Sequence, residues 1–125
     1  MKKSVKKEFN EITGRKYWWN RFKPIDWYCI SIYQTLSEDF MREFKDNVHW
    51  AGISIYQKLS ESFMREFRDK LDWYWMCRKQ NLSYEFISEF RNRLEFDILV
   101  KRKLIDQDQI DKMYEPVSKY ELLDI

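Results

Sequence analysis

The chain has 125 residues, 44% of them hydrophobic and 18% aromatic, which is enough for one domain with a real core and far from the disordered class. With only 2 Gly and 2 Pro it does not read as a turn-rich β sandwich, and no apolar run approaches the roughly 18 residues of a membrane span. The net charge of +2 is unevenly spread, because residues 1–25 hold eight Lys or Arg against Glu8 and Glu11.

That leader opens the chain. Its lysine-rich start lacks the apolar stretch of a secretory signal, and Cys29 and Cys77 have no Cys-x-x-Cys spacing, so two free thiols and a cytoplasmic location are the default. The stretch from Arg15 through Lys16, Trp18, Trp19 and Arg21 to Lys23 interleaves rings and cations. Single-stranded nucleic acid binders use that composition, with rings stacked on bases and cations along phosphates. The same residues also suit an N-terminal cap, with Trp18, Trp19 and Phe22 covering the edge of the next element while the cations stay in water. The cap is the favoured reading.

From residue 26 the chain repeats every 23 residues. Ile30 to Phe44 returns almost letter for letter as Ile53 to Phe67. Trp27, Trp50, Trp73 and Phe96 form one column, Leu36, Leu59, Leu82 and Ile105 another, and Phe44, Phe67, Phe90 and Met113 a third. The units are therefore 26–48, 49–71, 72–94 and 95–117, followed by a tail, 118–125. The fourth has decayed most, with Gln109 in the place of a core Phe, as expected of a terminal repeat whose outer face meets water. A short fixed period means stacked supersecondary units that cannot bury their apolar faces alone.

Each unit splits into two halves. In the second, Ser37 precedes Glu38 and Asp39, the pattern of an N-cap with acids in the first helical turn, and Leu36 and Met41 are placed for a hydrophobic staple. Phe40, Met41, Phe44 and Val48 follow on one face, predicting an amphipathic helix of about three turns. In the first half, Asp26 or Asp72 can cap a short helix with Trp27, Ile30, Ser31 and Gln34 inward, although Trp-Tyr-Cys-Ile-Ser-Ile-Tyr also has strand propensity. The spacing of three and four favours helix. The expected fold is all-α, an α-solenoid of about four helix-pair repeats with an N-terminal cap.

The pattern Trp-x-x-Ile-Ser-x-x-Gln-x-Leu-Ser-x-x-Phe-x-x-x-Phe, from Trp50 to Phe67 and again from Trp27 to Phe44, resembles the degenerate 23-residue repeats of proteins from phages and large DNA viruses. Unit three departs from it with Met76 and Cys77 in the place of Ile-Ser, and unit four fits poorly. The motif is structural. The resemblance implies a viral origin and transfers no active site.

Nothing in the side-chain inventory points to catalysis. His49, the only histidine, shares a column with Asp26, Asp72 and Glu95 and reads as a cap. Gly14 and Gly52 stand apart from any phosphate loop, and no His and Cys cluster suits a metal. No catalytic, cofactor or metal residue is assigned. The period does place Lys45, Arg68 and Arg91 in one column of the second helices and Arg42 and Arg65 in another, a row that either binds an acidic partner or is neutralised by pairs such as Glu38 with Arg42. The leading expectation is a non-catalytic protein-interaction module. With the viral resemblance this becomes an inhibitor of a host protein or ribonucleoprotein complex, for example of the anti-CRISPR kind. The alternatives are a nucleic-acid-binding module built on the leader and the arginine row, and a structural, self-assembling repeat protein.

Overall fold

The structure, a computed structural model, describes residues 1–14 and 24–115. Trp18, Trp19 and Phe22 of the expected cap, and the tail from residue 118, lie outside the described residues. Every regular element among the described residues is helical: α1 (Lys3–Thr13), α2 (Trp27–Tyr33), α3 (Glu38–Glu43), α4 (Trp50–Tyr56), α5 (Glu61–Glu66), α6 (Trp73–Lys79), α7 (Tyr84–Glu89), α8 (Phe96–Lys101) and α9 (Gln107–Met113). The first half of each unit is thus a helix, and the strand alternative is set aside. Two compact units, Met1–Gln80 and Asn81–Ile125, divide the chain inside the third repeat.

The helices start where the caps dictate. Ser37, Ser60 and Ser83 accept the N–H of Phe40, Phe63 and Phe86 through their hydroxyls. The first helices use Asp26 on the Cys29 N–H at 3.0 Å, His49 Nδ1 on the Gly52 N–H at 3.1 Å, and Asp72 on the Trp75 N–H at 3.4 Å. His49 is a cap, as its column requires. Asp106 caps α9, and Gln109 closes a capping box by accepting the Asp106 N–H. The residue that breaks the Phe column therefore has a local task.

The second helices are shorter than three turns. Helix α3 has 6 residues and ends as Phe44 leaves helical geometry at φ −105° and ψ 31°, after which Asn47 and Val48 both donate to the Phe44 carbonyl. The chain keeps turning without a helix, so Phe40, Met41 and Val48 are still buried on one side. What the departure gains is ring packing: Phe44 lies 4.7 Å from Phe40 and 5.2 Å from Trp27, and Phe67 stacks 5.0 Å from Trp50. The tryptophans are half-buried, and the indole N–H groups of Trp50 and Trp73 reach the carbonyls of Lys45 and Arg68.

Within the first unit, α2 packs on α4 and α4 on α6. Gly52 permits the close approach, since a Cβ there would meet Ile32 Cγ1 at 3.1 Å and His49 Nδ1 at 3.3 Å. Side chains of one repeat satisfy the backbone of the previous one. Gln57 donates to the Ser31 carbonyl at 2.9 Å and the Gln34 carbonyl at 2.6 Å while accepting the Leu36 N–H at 3.0 Å, and Gln80 does the same to Ser54, Gln57 and Leu59. Both glutamines are 5% exposed, an acceptable burial because every polar atom they carry is bonded. The sequence alone gives no sign of this ladder.

Helix α1 covers the start of this unit. Its Glu8 accepts the Ser37 N–H at 2.8 Å and the Ser37 hydroxyl at 2.5 Å, as Glu38 does for Ser60 one repeat later. Phe9 stacks 5.1 Å from Phe44, Val5 is buried, and Lys2 pairs with Asp39. Gly14 ends the helix in the left-handed region at φ 66°, where a Cβ would be strained. A cap is therefore supplied by residues 3–13. The tryptophans that led the cap reading fall outside the described residues.

In the second unit, Lys103 occupies the glutamine column and takes φ 60°, so α8 closes on itself, with the Leu104 N–H on the Leu99 carbonyl at 3.0 Å. The ladder motif is gone from this repeat.

Candidate interaction surface

Helices α3 and α5 carry Arg42 and Arg65 together with Glu38, Asp39, Glu43, Glu61 and Glu66, while Lys45, Arg68 and Arg91 lie just beyond the ends of α3, α5 and α7. Arg42 Nε donates to both oxygens of Glu66 at 3.0 Å, its Nη1 reaches Asp39 at 3.0 Å, and Glu38 stands 4.0 Å away. The guanidinium also lies 5.3 Å from the centre of the Phe63 ring. Desolvation pulls the Arg42 pKa down, but the Glu66 and Asp39 contacts outweigh it and raise it. At Asp39 the hydrogen bond from Lys2, followed by its charge and the bond from Arg42, holds the carboxyl below its usual range.

The expected pairing of Glu38 with Arg42 is present, but the tighter bond crosses repeats. Lys70 likewise reaches across to Asp46 at 3.9 Å. Arg68 and Arg91 fold back onto the carbonyls three residues earlier, at 3.2 Å in each case, and Arg91 also lies 5.6 Å from the Tyr114 ring. Arg65 is half-buried and also engaged, and Lys45 is exposed. Arg42, Arg65, Arg68 and Arg91 would have to give up those contacts before meeting a partner. The leader residues Arg15, Lys16, Trp18, Trp19, Arg21 and Lys23 lie outside the described residues.

The outer side of the first helices is different. Tyr33 is 78% exposed and Tyr56 60%, and these two occupy the same register position at the ends of α2 and α4. Tyr28 and Tyr74 are 55% and 46% exposed nearer the helix starts. Tyr28 rests edge-on against His49, and Tyr74 against Trp75 with Arg78 5.4 Å from its ring centre. Lys79 takes the third place in the Tyr33 column and Lys58 follows α4, both exposed. Between Trp27 and Tyr33, Trp50 and Tyr56, and Trp73 and Lys79 there is no carboxylate. The acids that bound this surface, Asp26 and Asp72, turn their oxygens onto backbone N–H groups. Packed helices sit 8–10 Å apart, so successive members of the column are spaced on that scale.

Sequence reasoning passed over this surface. The signal was there, because Tyr28 and Tyr33 fall off the inward stripe of Trp27, Ile30, Ser31 and Gln34 when plotted at 3.6 residues per turn. Comparison with family models, curated proteins and solved structures returned no match for this chain. No described helix is long and apolar enough to cross a membrane.

Proposed function

We propose that this chain is a non-catalytic helical-repeat module that binds a partner protein through the outer side of its first helices. The observation carrying the proposal is the exposure of Tyr28, Tyr33, Tyr56 and Tyr74 on first helices that carry no carboxylate, in a unit where Arg42, Arg65 and Arg68 are already engaged. Tyrosine supplies large contact area with little side-chain entropy to lose and a hydroxyl to hydrogen-bond, which is why it anchors protein interfaces. Lys58, Arg78 and Lys79 favour an acidic partner surface. The resemblance to phage and large DNA virus repeats supports a host protein as the target, and inhibition of a nucleic-acid-guided defence complex is the specific form of that proposal.

The test is affinity capture from a host lysate with and without nuclease, comparing the natural chain with a Tyr33→Ser, Tyr56→Ser variant. A protein captured by the natural chain after nuclease treatment, and lost with the variant, supports the proposal. Cations beside exposed rings also suit single-stranded nucleic acid. Capture abolished by nuclease, together with a steep fall in oligonucleotide affinity as salt rises, replaces the protein reading with that one.

A further inference from the structure

Two register positions are sealed in the first two repeats. Ser31 and Ser54 are 0% exposed, and their hydroxyls accept the N–H of the next repeat's cap, His49 at 2.9 Å and Asp72 at 3.0 Å. Met41 and Met64, at a second position, are also 0% exposed. The fourth repeat places Val100 and Ile110 at these positions. Val100 is 41% exposed and Ile110 half-buried. Valine cannot receive the N–H that the serine hydroxyl received, so this edge has lost the polar feature that fits another repeat of the same kind and has kept an apolar one. A depression of about 520 Å³ runs along it, lined by Phe96, Asp97, Val100, Lys101, Gln107 and Ile110.

We propose that this edge of α8 and α9 is a self-association surface, joining two copies of the chain about a two-fold axis with α8 against α8. Charge selects a second copy as the occupant. Asp97 and Lys101 lie one turn apart on α8 and line the depression together with Val100, so an antiparallel crossing sets the Asp97 of each copy opposite the Lys101 of the other. The edge is complementary to itself, as a two-fold interface must be. Head-to-tail growth is opposed at the second-helix half of the matching edge, where α1 already stands through Glu8 on Ser37 and Phe9 on Phe44. The contact is small. Helices of 6 and 7 residues offer less than the roughly 800 Å² per partner of a stable interface, so the dissociation constant falls on the order of 10–1,000 µM.

Analytical ultracentrifugation of the full chain across that concentration range tests the proposal, with circular dichroism confirming that each variant keeps its helix content. The natural chain should shift from its 15.8 kDa monomer toward a dimer and no further. Val100→Glu should remain monomeric, and Lys101→Glu, which faces Asp97 with a like charge, should weaken association by about fivefold or more. The exchange Asp97→Lys with Lys101→Glu should restore it to within about twofold, since the pairing is swapped and not lost. A monomer at every concentration, growth beyond a dimer, a dimer indifferent to Val100→Glu, or a charge exchange that fails to restore association would each overturn it.

Discussion

At the scale of single residues, one side chain type does different things in different repeats. Gln34 and Gln57 occupy the same column, yet Gln34 is exposed and Gln57 is buried with three bonds to the preceding repeat. Gln57→Leu would leave the Leu36 N–H and the Gln34 carbonyl without the side-chain partner they have now, at about 1–3 kcal/mol for each buried group left unsatisfied. Urea unfolding should show a loss of about 2–5 kcal/mol for this variant, against less than about 0.5 for Gln34→Leu. Equal effects at the two positions would mean that the ladder does not hold the repeats. Trp50 shares the column that places Trp27 on the inward stripe. It is half-buried, stacked on Phe67 and tied by its N–H to Lys45, because it roofs the ring cluster instead of filling it.

At the scale of elements, all but one of the described helices have 6 or 7 residues. Isolated helices below about 12–15 residues are marginal in water, so caps and neighbours carry them. Ser60→Ala removes the cap on Phe63 and the hydroxyl that donates to Glu38, and a loss of about 1–2 kcal/mol in denaturant unfolding is expected. Caps also respond to acid. The Cys29 N–H holds the Asp26 carboxyl below its usual range, so its folded pKa lies below its unfolded one. The resulting stabilisation is complete above the unfolded value of about 4 and is lost as pH falls through the lower folded value. Asp26→Asn keeps a capping oxygen but does not titrate. The gap in melting temperature between the natural chain and this variant should therefore change between pH 5 and pH 2.5, with the natural chain losing more; parallel curves would show that Asp26 contributes nothing through its charge.

At the scale of the whole molecule, stability in a repeat protein is approximately a sum over units and their junctions. The bonds between the first two repeats use residues that the repeat itself supplies: Gln57, Ser31, and Glu38 with Ser60. A second copy of residues 49–71 inserted after Leu71 brings its own serines and glutamine, and Glu61 stands in the column of Glu38. The enlarged chain should remain helical in proportion to its length and melt several degrees higher, a result that circular dichroism would read directly. A lower melting temperature would show that the junctions depend on residues outside the repeat.

The sequence by itself determined the period and most of the caps, and favoured helix over strand in the first half of each repeat. Those features rest on bonds between residues three or four apart, such as Ser37 with Phe40 or His49 with Gly52, and a linear pattern displays them. Tertiary structure decided what lies 21 to 29 residues away. Gln57 finds Leu36, Arg42 finds Glu66 and Glu8 finds Ser37 only when whole repeats, or the helix standing in for one, are laid side by side. For the same reason the arginine row could be read along the chain either as a binding row or as neutralised, and the tyrosines went unnoticed. Whether a charge is free or paired, and whether a ring is covered or bare, depends on the neighbour across the junction and not on the neighbour along the chain.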